Sequence, residues 1–340
     1  MKTFKIILLA ASVLVLAFLV VLLVLFVSGK VNFSTFFRME KQIVLLERTE
    51  TLEGISGIKL DLSSMDVTIT PSDSNEISIT YRGPESLKDD LDLSVDVIDG
   101  NLVITQGKQF YLFLFSWCFT PRVLEITLPE SYADAIELEH SSGDVSISGT
   151  YQLTDFSADI SSGDIRIENM NCGKLSLRGS SGDISLGTIN ADQIGIYVTS
   201  GDIKADSITG DGKIGTTSGG VSIGVLQGEV DVDVTSGSIK ISDFTGSGNV
   251  ACTSGSISMT VSKALGDLSV KTISGDVSVT FDKDIAYVIS ARCTSGDIHS
   301  DFAMMYSSDD KETATLDYGV SPVYILTLRT TSGDITLSEK

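Results

Sequence analysis

The stretch V-T-S-G-D-I-K-A, from Val198 to Ala205, decides the fold, because its centre recurs along the chain. The pattern [ST]-S-G-[DGS]-[IV], once I-S-G-D-V, places its glycine at Gly143, Gly163, Gly182, Gly201, Gly219, Gly237, Gly255, Gly275, Gly296 and Gly333. Successive glycines stand 18 to 21 residues apart, with one last interval of 37. A fixed interval of this size marks a solenoid in which each repeat is one coil.

Apolar residues recur at −7, −5, −3, +2, +4 and +7 from each glycine. Around Gly201 they are Ile194, Ile196, Val198, Ile203, Ala205 and Ile208; around Gly237 they are Val230, Val232, Val234, Ile239, Ile241 and Phe244. Spacing by two is the strand period, since alternate side chains share a face. Each coil therefore holds two short strands joined at a Ser-Gly corner, where glycine supplies a positive φ. Coils stacked at about 4.8 Å make ten repeats a rod roughly 45 Å long. No helical period appears after residue 50. The six-residue aliphatic period of hexapeptide-repeat acyltransferases is also missing. The expected fold is all-β: a single-stranded β-solenoid, β-helix-like, of about ten 18–21-residue coils and of either hand.

The ends differ. Ile6 to Val27 is almost wholly apolar, long enough as a helix to span a bilayer, and follows Lys2 and Lys5. No small-x-small cleavage site or lipobox cysteine follows it. The reading is a cytoplasmic tip and single-pass anchor over 1–28, a stalk over 29–54, an irregular β cap over 55–129 and the repeats over 130–340. The repeats then lie outside the cell membrane. Within the cap, S-S-M-D-V-T-I at Ser63 to Ile69 resembles the motif with Met65 in place of glycine. An acidic loop, Ser307 to Glu312, fills the long last interval.

Net charge is −21, and the first 41 residues are basic, so the repeats hold the acid. Such a rod repels nucleic acid and stays soluble. Cys118, Cys172, Cys252 and Cys293 show no metal spacing. Cys252 and Cys293 share the −3 position and, in sequential stacking, stand two coils or about 9.6 Å apart, beyond disulfide reach.

The acid after the glycine is the sharpest candidate feature. Asp144, Asp164, Asp183 and Asp202 stack on consecutive coils; Gly220, Ser238 and Ser256 interrupt the row; Asp276 and Asp297 resume it and Asp334 ends it. Neighbouring carboxylates about 4.8 Å apart repel by about 0.9 kcal/mol at water's dielectric. A calcium row would relieve this, but a corner residue bonding its own turn is the simpler expectation. His140 and His299 are the only histidines, at −3 and +3. No nucleophile elbow, Walker, Rossmann or zinc motif is present. The expectation is no enzyme, no catalytic residues and no cofactor.

The run F-Y-L-F-L-F-S-W-C-F, Phe110 to Phe119, is the other outlier and is too short to span a membrane. It reads as cap core, or as a partner or membrane contact through Phe110, Tyr111, Phe113, Phe115 and Trp117.

The S-S-G-D-[IV]-x-[IV] repeats, the aromatic run and L-E-I-T-L-P-E at Leu124 to Glu130 together resemble the bacterial "putative adhesin" family of β-strand-repeat domains of unknown function (DUF4097). The resemblance covers residues 55–340 and implies a β-solenoid ectodomain at the cell envelope. It brings no catalytic residues with it. The corners at Gly219, Gly237 and Gly255 depart from it by lacking Asp. The leading functional expectation is a non-enzymatic, membrane-anchored binding scaffold for a protein or wall polymer. The alternatives are an accessory of envelope-stress signalling and, third, a polysaccharide-acting enzyme.

Overall fold

A computed structural model describes residues 40–107, 120–282, 285–307 and 312–340. Ile6–Val27, Phe110–Phe119 and Cys118 lie outside the described residues. Among those described, no helix is long and apolar enough to cross a membrane.

The strands are β1 Gln42–Thr51, β2 Gly57–Ser64, β3 Asp66–Ser72, β4 Glu76–Pro84, β5 Leu93–Ile98, β6 Asn101–Gln106, β7 Val123–Pro129 and β8 Ala135–Ser142. There follow β9 Val145–Ser162, β10 Ile165–Ser181, β11 Ile184–Ser200, β12 Ile203–Ser218, β13 Val221–Ser236, β14 Ile239–Ser254 and β15 Ile257–Ser274. The end holds β16 Val277–Phe281, β17 Tyr287–Ser295, β18 Ile298–Ser300, β19 Met305–Tyr306, β20 Thr313–Tyr318, β21 Tyr324–Ser332 and β22 Ile335–Glu339. The chain is all-β with solenoid-like repeats.

From β9 to β15 each strand runs from one corner to the next and pairs, parallel and nearly in register, with the following one. Ile165 lies between Val145 and Ile184, and Ser181 between Ser162 and Ser200. Stacking like on like makes the sequence period a set of columns. The +2 and +4 columns face inward: Ile239 and Ile241 are each 1% exposed. The corner needs glycine twice over. Gly201 has φ 151°, and a Cβ there would stand 2.0 Å from the Gly182 carbonyl oxygen of the coil beneath. A second bend, at Gly210 and Gly228, also takes positive φ and turns the chain back over its own core.

The column starts earlier than its glycines. Met65 N–H donates to Ser142 O at 3.1 Å and Val67 N–H to Asp144 O at 2.8 Å. The S-S-M-D corner therefore stacks directly on that of Gly143, across 78 residues of chain. Below it the rung is split: β6 pairs with β2, and β7 with β3. The range expected as stalk contains β1, which pairs antiparallel with β4. That is a correction with a simple cause: β4 offers a free edge, and Q-I-V-L-L-E-R-T-E-T alternates well enough to fill it.

A buried polar network closes this cap. Asp92 accepts from Tyr81 Oη at 2.8 Å, Gln106 Nε2 at 3.0 Å and Arg122 at 2.8 Å. Gln106 Oε1 in turn accepts the N–H groups of Ser63 and Ser64, both at 2.9 Å. These are donors that a further coil would otherwise satisfy.

The C-terminal end overturns sequential stacking. β15 pairs with β21, and β21 with β17; β22 lies between β16 and β18. The corners run Gly255, Gly275, Gly333, Gly296, so the last coil in sequence is inserted beneath the one before it. Asp334 therefore stands within the acidic row and Asp297 ends it. Thr272 and Thr330 separate Cys252 from Cys293, three coil steps or about 14 Å apart. The cause is β20, which pairs antiparallel with the outer edge of β17 and returns the chain to the inner side. Phe281, Phe302 and Tyr318 plug this end, with 4.6 Å between the Phe302 and Tyr318 ring centroids.

Candidate functional site

Each corner turns one backbone donor and one acceptor out of the ladder: the +1 N–H and the glycine C=O. Side chains replace the first partner along most of the row and the second at some corners. Asp164 N–H donates to Asp144 Oδ1 at 2.9 Å, Asp183 N–H to Asp164 Oδ1 at 2.9 Å, and Asp202 N–H to Asp183 Oδ1 at 2.8 Å. The row begins one coil earlier, where Asp144 N–H donates to Asp66 Oδ1 at 3.0 Å. It passes Gly220, whose N–H donates to Asp202 Oδ1 at 2.9 Å. Beyond the gap, Asp276 N–H uses Ser256 Oγ, Asp334 N–H uses Asp276 Oδ1, and Asp297 N–H uses Asp334 Oδ1. The expected bond to the carboxylate's own turn is thus a bond to the next coil.

The second oxygen meets a cation supplied by the chain. Arg166, at +3, reaches Asp164 Oδ2 at 2.6 Å and Asp144 Oδ2 at 3.5 Å. Lys204, also at +3, reaches Asp202 Oδ2 at 3.2 Å and Asp183 Oδ2 at 3.9 Å. One cation thus serves two carboxylates. The Gly220 N–H and then Lys204 hold the Asp202 carboxyl below its usual range, while Asp202 raises Lys204. Among the four acids read as a cation row, the side chains themselves do what a metal would do.

Some of the glycine carbonyls are met from the −3 column. Thr216, Thr272 and Thr330 donate to Gly201, Gly255 and Gly275 O at 3.1, 3.0 and 3.0 Å. Cys252 Sγ lies 3.1 Å from Gly237 O, and burial pushes its thiol up, away from nucleophilic use. His140 holds the same column, with Nδ1 3.4 Å from Leu62 O. Burial lowers its pKa, against the Leu62 and Met65 carbonyls that favour the charged form.

Asp297, His299 and Asp334 bring three ligand atoms within 4.8 Å of one another at the exposed end of the row. His299 occupies there the +3 position that Arg166 and Lys204 occupy elsewhere, so the trio repeats the two-acid, one-base pattern.

Two surfaces remain. On the +3/+5 face Ser146, Arg166, Glu168, Ser185, Lys204 and Asp206 help line a shallow open groove of about 570 Å³. At the cap, Thr120 Oγ1 donates to Glu40 O at 3.0 Å and Gln42 Nε2 to Pro121 O at 3.0 Å. Phe110, Tyr111, Phe113, Phe115 and Trp117 lie outside the described residues; Thr120 and Pro121, which follow the run, meet Glu40 and Gln42. Sequence reading missed the Asp92 network, whose partners come from four separate stretches without periodicity. The R-x-L-E-I sequence around Arg122 carried no signal for it.

No curated protein matches the chain. Among solved structures, a "putative adhesin" of Parabacteroides merdae is 14% identical, with TM-score 0.42 over 88% of this chain and 96% of that one. A "putative cell adhesion protein" of Clostridium sporogenes is also 14% identical, with TM-score 0.21 over 88% and 99%. A "putative lipid binding protein" of Parabacteroides distasonis is 15% identical, with TM-score 0.38 over 87% and 96%. One family model matches residues 55–228 and again 224–338, and the chain accordingly belongs to the Toastrack DUF4097 family.

Proposed function

We propose that the chain is a non-enzymatic binding protein of the cell envelope, held at the membrane by its N-terminal apolar stretch, whose rod presents the +3/+5 face to an extended wall polymer. The observation that carries this reading is the near-continuous register of β9 to β15. It repeats the same small polar surface at every coil, about 4.8 Å apart, which suits a ligand that is itself repetitive. Ser146, Ser185, Ser222 and Ser258 alternate there with Arg166, Lys204 and Lys240. Hydroxyls and cations thus recur every second coil, about 9.6 Å.

The test is co-sedimentation of the full-length protein, in non-ionic detergent, with insoluble cell-wall polymer. Retention is expected, and Ser185→Trp with Ser222→Trp should reduce it at least tenfold by filling the groove. Equal retention of the double variant counts against this face.

A second reading has its own support. The contact of Thr120 with Glu40 sets the residue after the aromatic run beside the first described residue of the chain, 13 positions after Val27. That favours Phe110–Trp117 as a membrane or membrane-partner contact beside the anchor, and a signalling accessory would use it. Crosslinking from membranes separates the two: a sensor or regulator captured in place of polymer favours signalling. Glycan cleavage abolished by one carboxylate change would instead support a polysaccharide-acting enzyme.

A further inference from the structure

The opposite outward face carries a charge pattern that the corner chemistry does not use. The column four residues before each corner reads, from the N-terminal cap to the far end, D-E-D-R-Y-G-D-A-K-R-R. Its order follows the observed pairings and not the sequence. Asp61 pairs with Glu139 and Glu139 with Asp159. At the other end Lys271 pairs with Arg329, and Arg329 with Arg292. The insertion of β21 is what brings the three bases onto adjacent rungs. All six side chains are exposed, and none has an ion-pair partner among the described residues.

Within each triad like charges stand about 4.8 Å apart on adjacent rungs and repel, offset in the acidic one only on the Asp159 side, where Arg178 holds the next rung. The two triads cannot relieve one another within one copy. Their centres, Glu139 and Arg329, are eight rungs or about 38 Å apart, well beyond the screening length of about 10 Å at 0.1 M salt. The column is, however, complementary to itself reversed. With Gly215 at the centre, Asp61 faces Arg292, Glu139 faces Arg329 and Asp159 faces Lys271.

The flanking columns allow the approach. The −2 column is Ser or Thr in every coil except at Ile273. The −6 column is largely small, and its mid-rod Lys213 already pairs with Asp231 at 3.5 Å. Gly215 is buried at the middle beneath the Tyr197 ring, which leans across it to bond Thr217 Oγ1, so Tyr197 is the large side chain beside the reversal axis.

We propose that two copies dock face to face and antiparallel through this column, with each acidic triad set on the partner's basic triad. The occupant is a second copy because no other partner is required to carry both triads at this separation and in this order. The docking is isologous, so one contact between triads is made twice. A parallel pair would set acid on acid and base on base. The antiparallel pair places its two N termini at opposite ends, so two copies held in one membrane dock with their rods lying along it, each cap tethered by its own 12-residue connection. It leaves the +3/+5 groove free, so it stands or falls independently of the polymer reading.

The test uses the full-length protein in non-ionic detergent. One variant carries Lys271→Glu, Arg292→Glu and Arg329→Glu; the other carries Asp61→Lys, Glu139→Lys and Asp159→Lys. Sedimentation should show wild-type dimers at 20 mM salt that dissociate at 500 mM. Each variant alone should associate at least tenfold more weakly, with unchanged circular dichroism. An equimolar mixture of the two should dimerise again, because it restores both contacts. Carbodiimide treatment of mixed isotope-labelled copies should join Lys271 of one copy to Asp159 of the other. A monomeric wild type at low salt, dimers indifferent to the changes, or a mixture that stays monomeric would each overturn the proposal.

Discussion

Asp183 works through two oxygens that belong to two different problems. Oδ1 accepts the Asp202 N–H, a donor the corner has turned out of the ladder, and Oδ2 faces Lys204 across 3.9 Å. Asparagine keeps the first and loses the second; alanine loses both. Asp183→Asn should therefore cost little, since exposed pairs contribute little, whereas Asp183→Ala should cost about 1 kcal/mol for the lost hydrogen bond. Thermal or urea unfolding reads both, and equal losses would show that the charge and not the bond matters. The pH dependence has a definite sign for Asp202. Its folded pKa lies below the unfolded value of about 3.9, so its stabilisation is present above that pH and lost as pH falls through the folded value. His140 also has a lowered pKa, from burial. Its neutral form favours folding above the unfolded value of about 6.5, and that contribution drains away as pH falls toward the folded value. The −3 column accepts valine elsewhere, at Val198 and Val234. His140→Val should flatten the fall in stability as pH drops below about 6.5; an unchanged slope would place the acid sensitivity elsewhere. Glycine and aspartate at each corner were legible from recurrence alone. Spacing could not say whose N–H the carboxylate takes, because both candidates lie one residue from a glycine.

At the scale of elements, periodicity told where strands are and failed to tell which is next to which. The +2, +4, −3 and −5 residues face inward as read, since alternation is a local property of a strand. Stacking order is not local. β21 and β17 have the same pattern, and only the antiparallel return through β20 decides that β21 lies inside. The cap was legible only as strand-like runs, because antiparallel β1, β4 and β7 obey no repeat. The inserted order has a measurable consequence. A chain ending after Tyr318 lacks β21 and β22, on which β17 and β18 rest. Amide exchange should then lose protection at the alternate positions of Tyr287–Ser295 whose N–H groups face β21, while those facing β20 keep it, and the melting transition should broaden as in a repeat array cut internally. Sequential stacking would instead leave β17 protected against β15, and that result would reject the inserted order.

For the whole molecule, repetition decides what the rod can be and the two ends decide where it is held. The described cap begins at Glu40, and Glu40 is where Thr120, at the end of the aromatic segment, makes its contact. Only 12 residues separate Val27 from Glu40, so an extended chain allows at most about 40 Å between the apolar stretch and the cap. On the proposed anchoring, the cap end, not the Gly296 end, should therefore be the end tethered near the membrane. On the proposed topology, with Lys2 and Lys5 preceding the apolar stretch, the basic side would stay in the cytoplasm and the rod would lie outside. Protease added to intact cells stripped of outer layers should reach the protein, yet a register-locked sheet resists cutting within β9 to β15. The expected products are a rod-sized β fragment and a small membrane-held stub. Antibody to an N-terminal tag should find that stub only after permeabilisation. Full protection of the rod in intact cells, with cleavage only after lysis, would reverse the orientation and move the search for its partners into the cytoplasm.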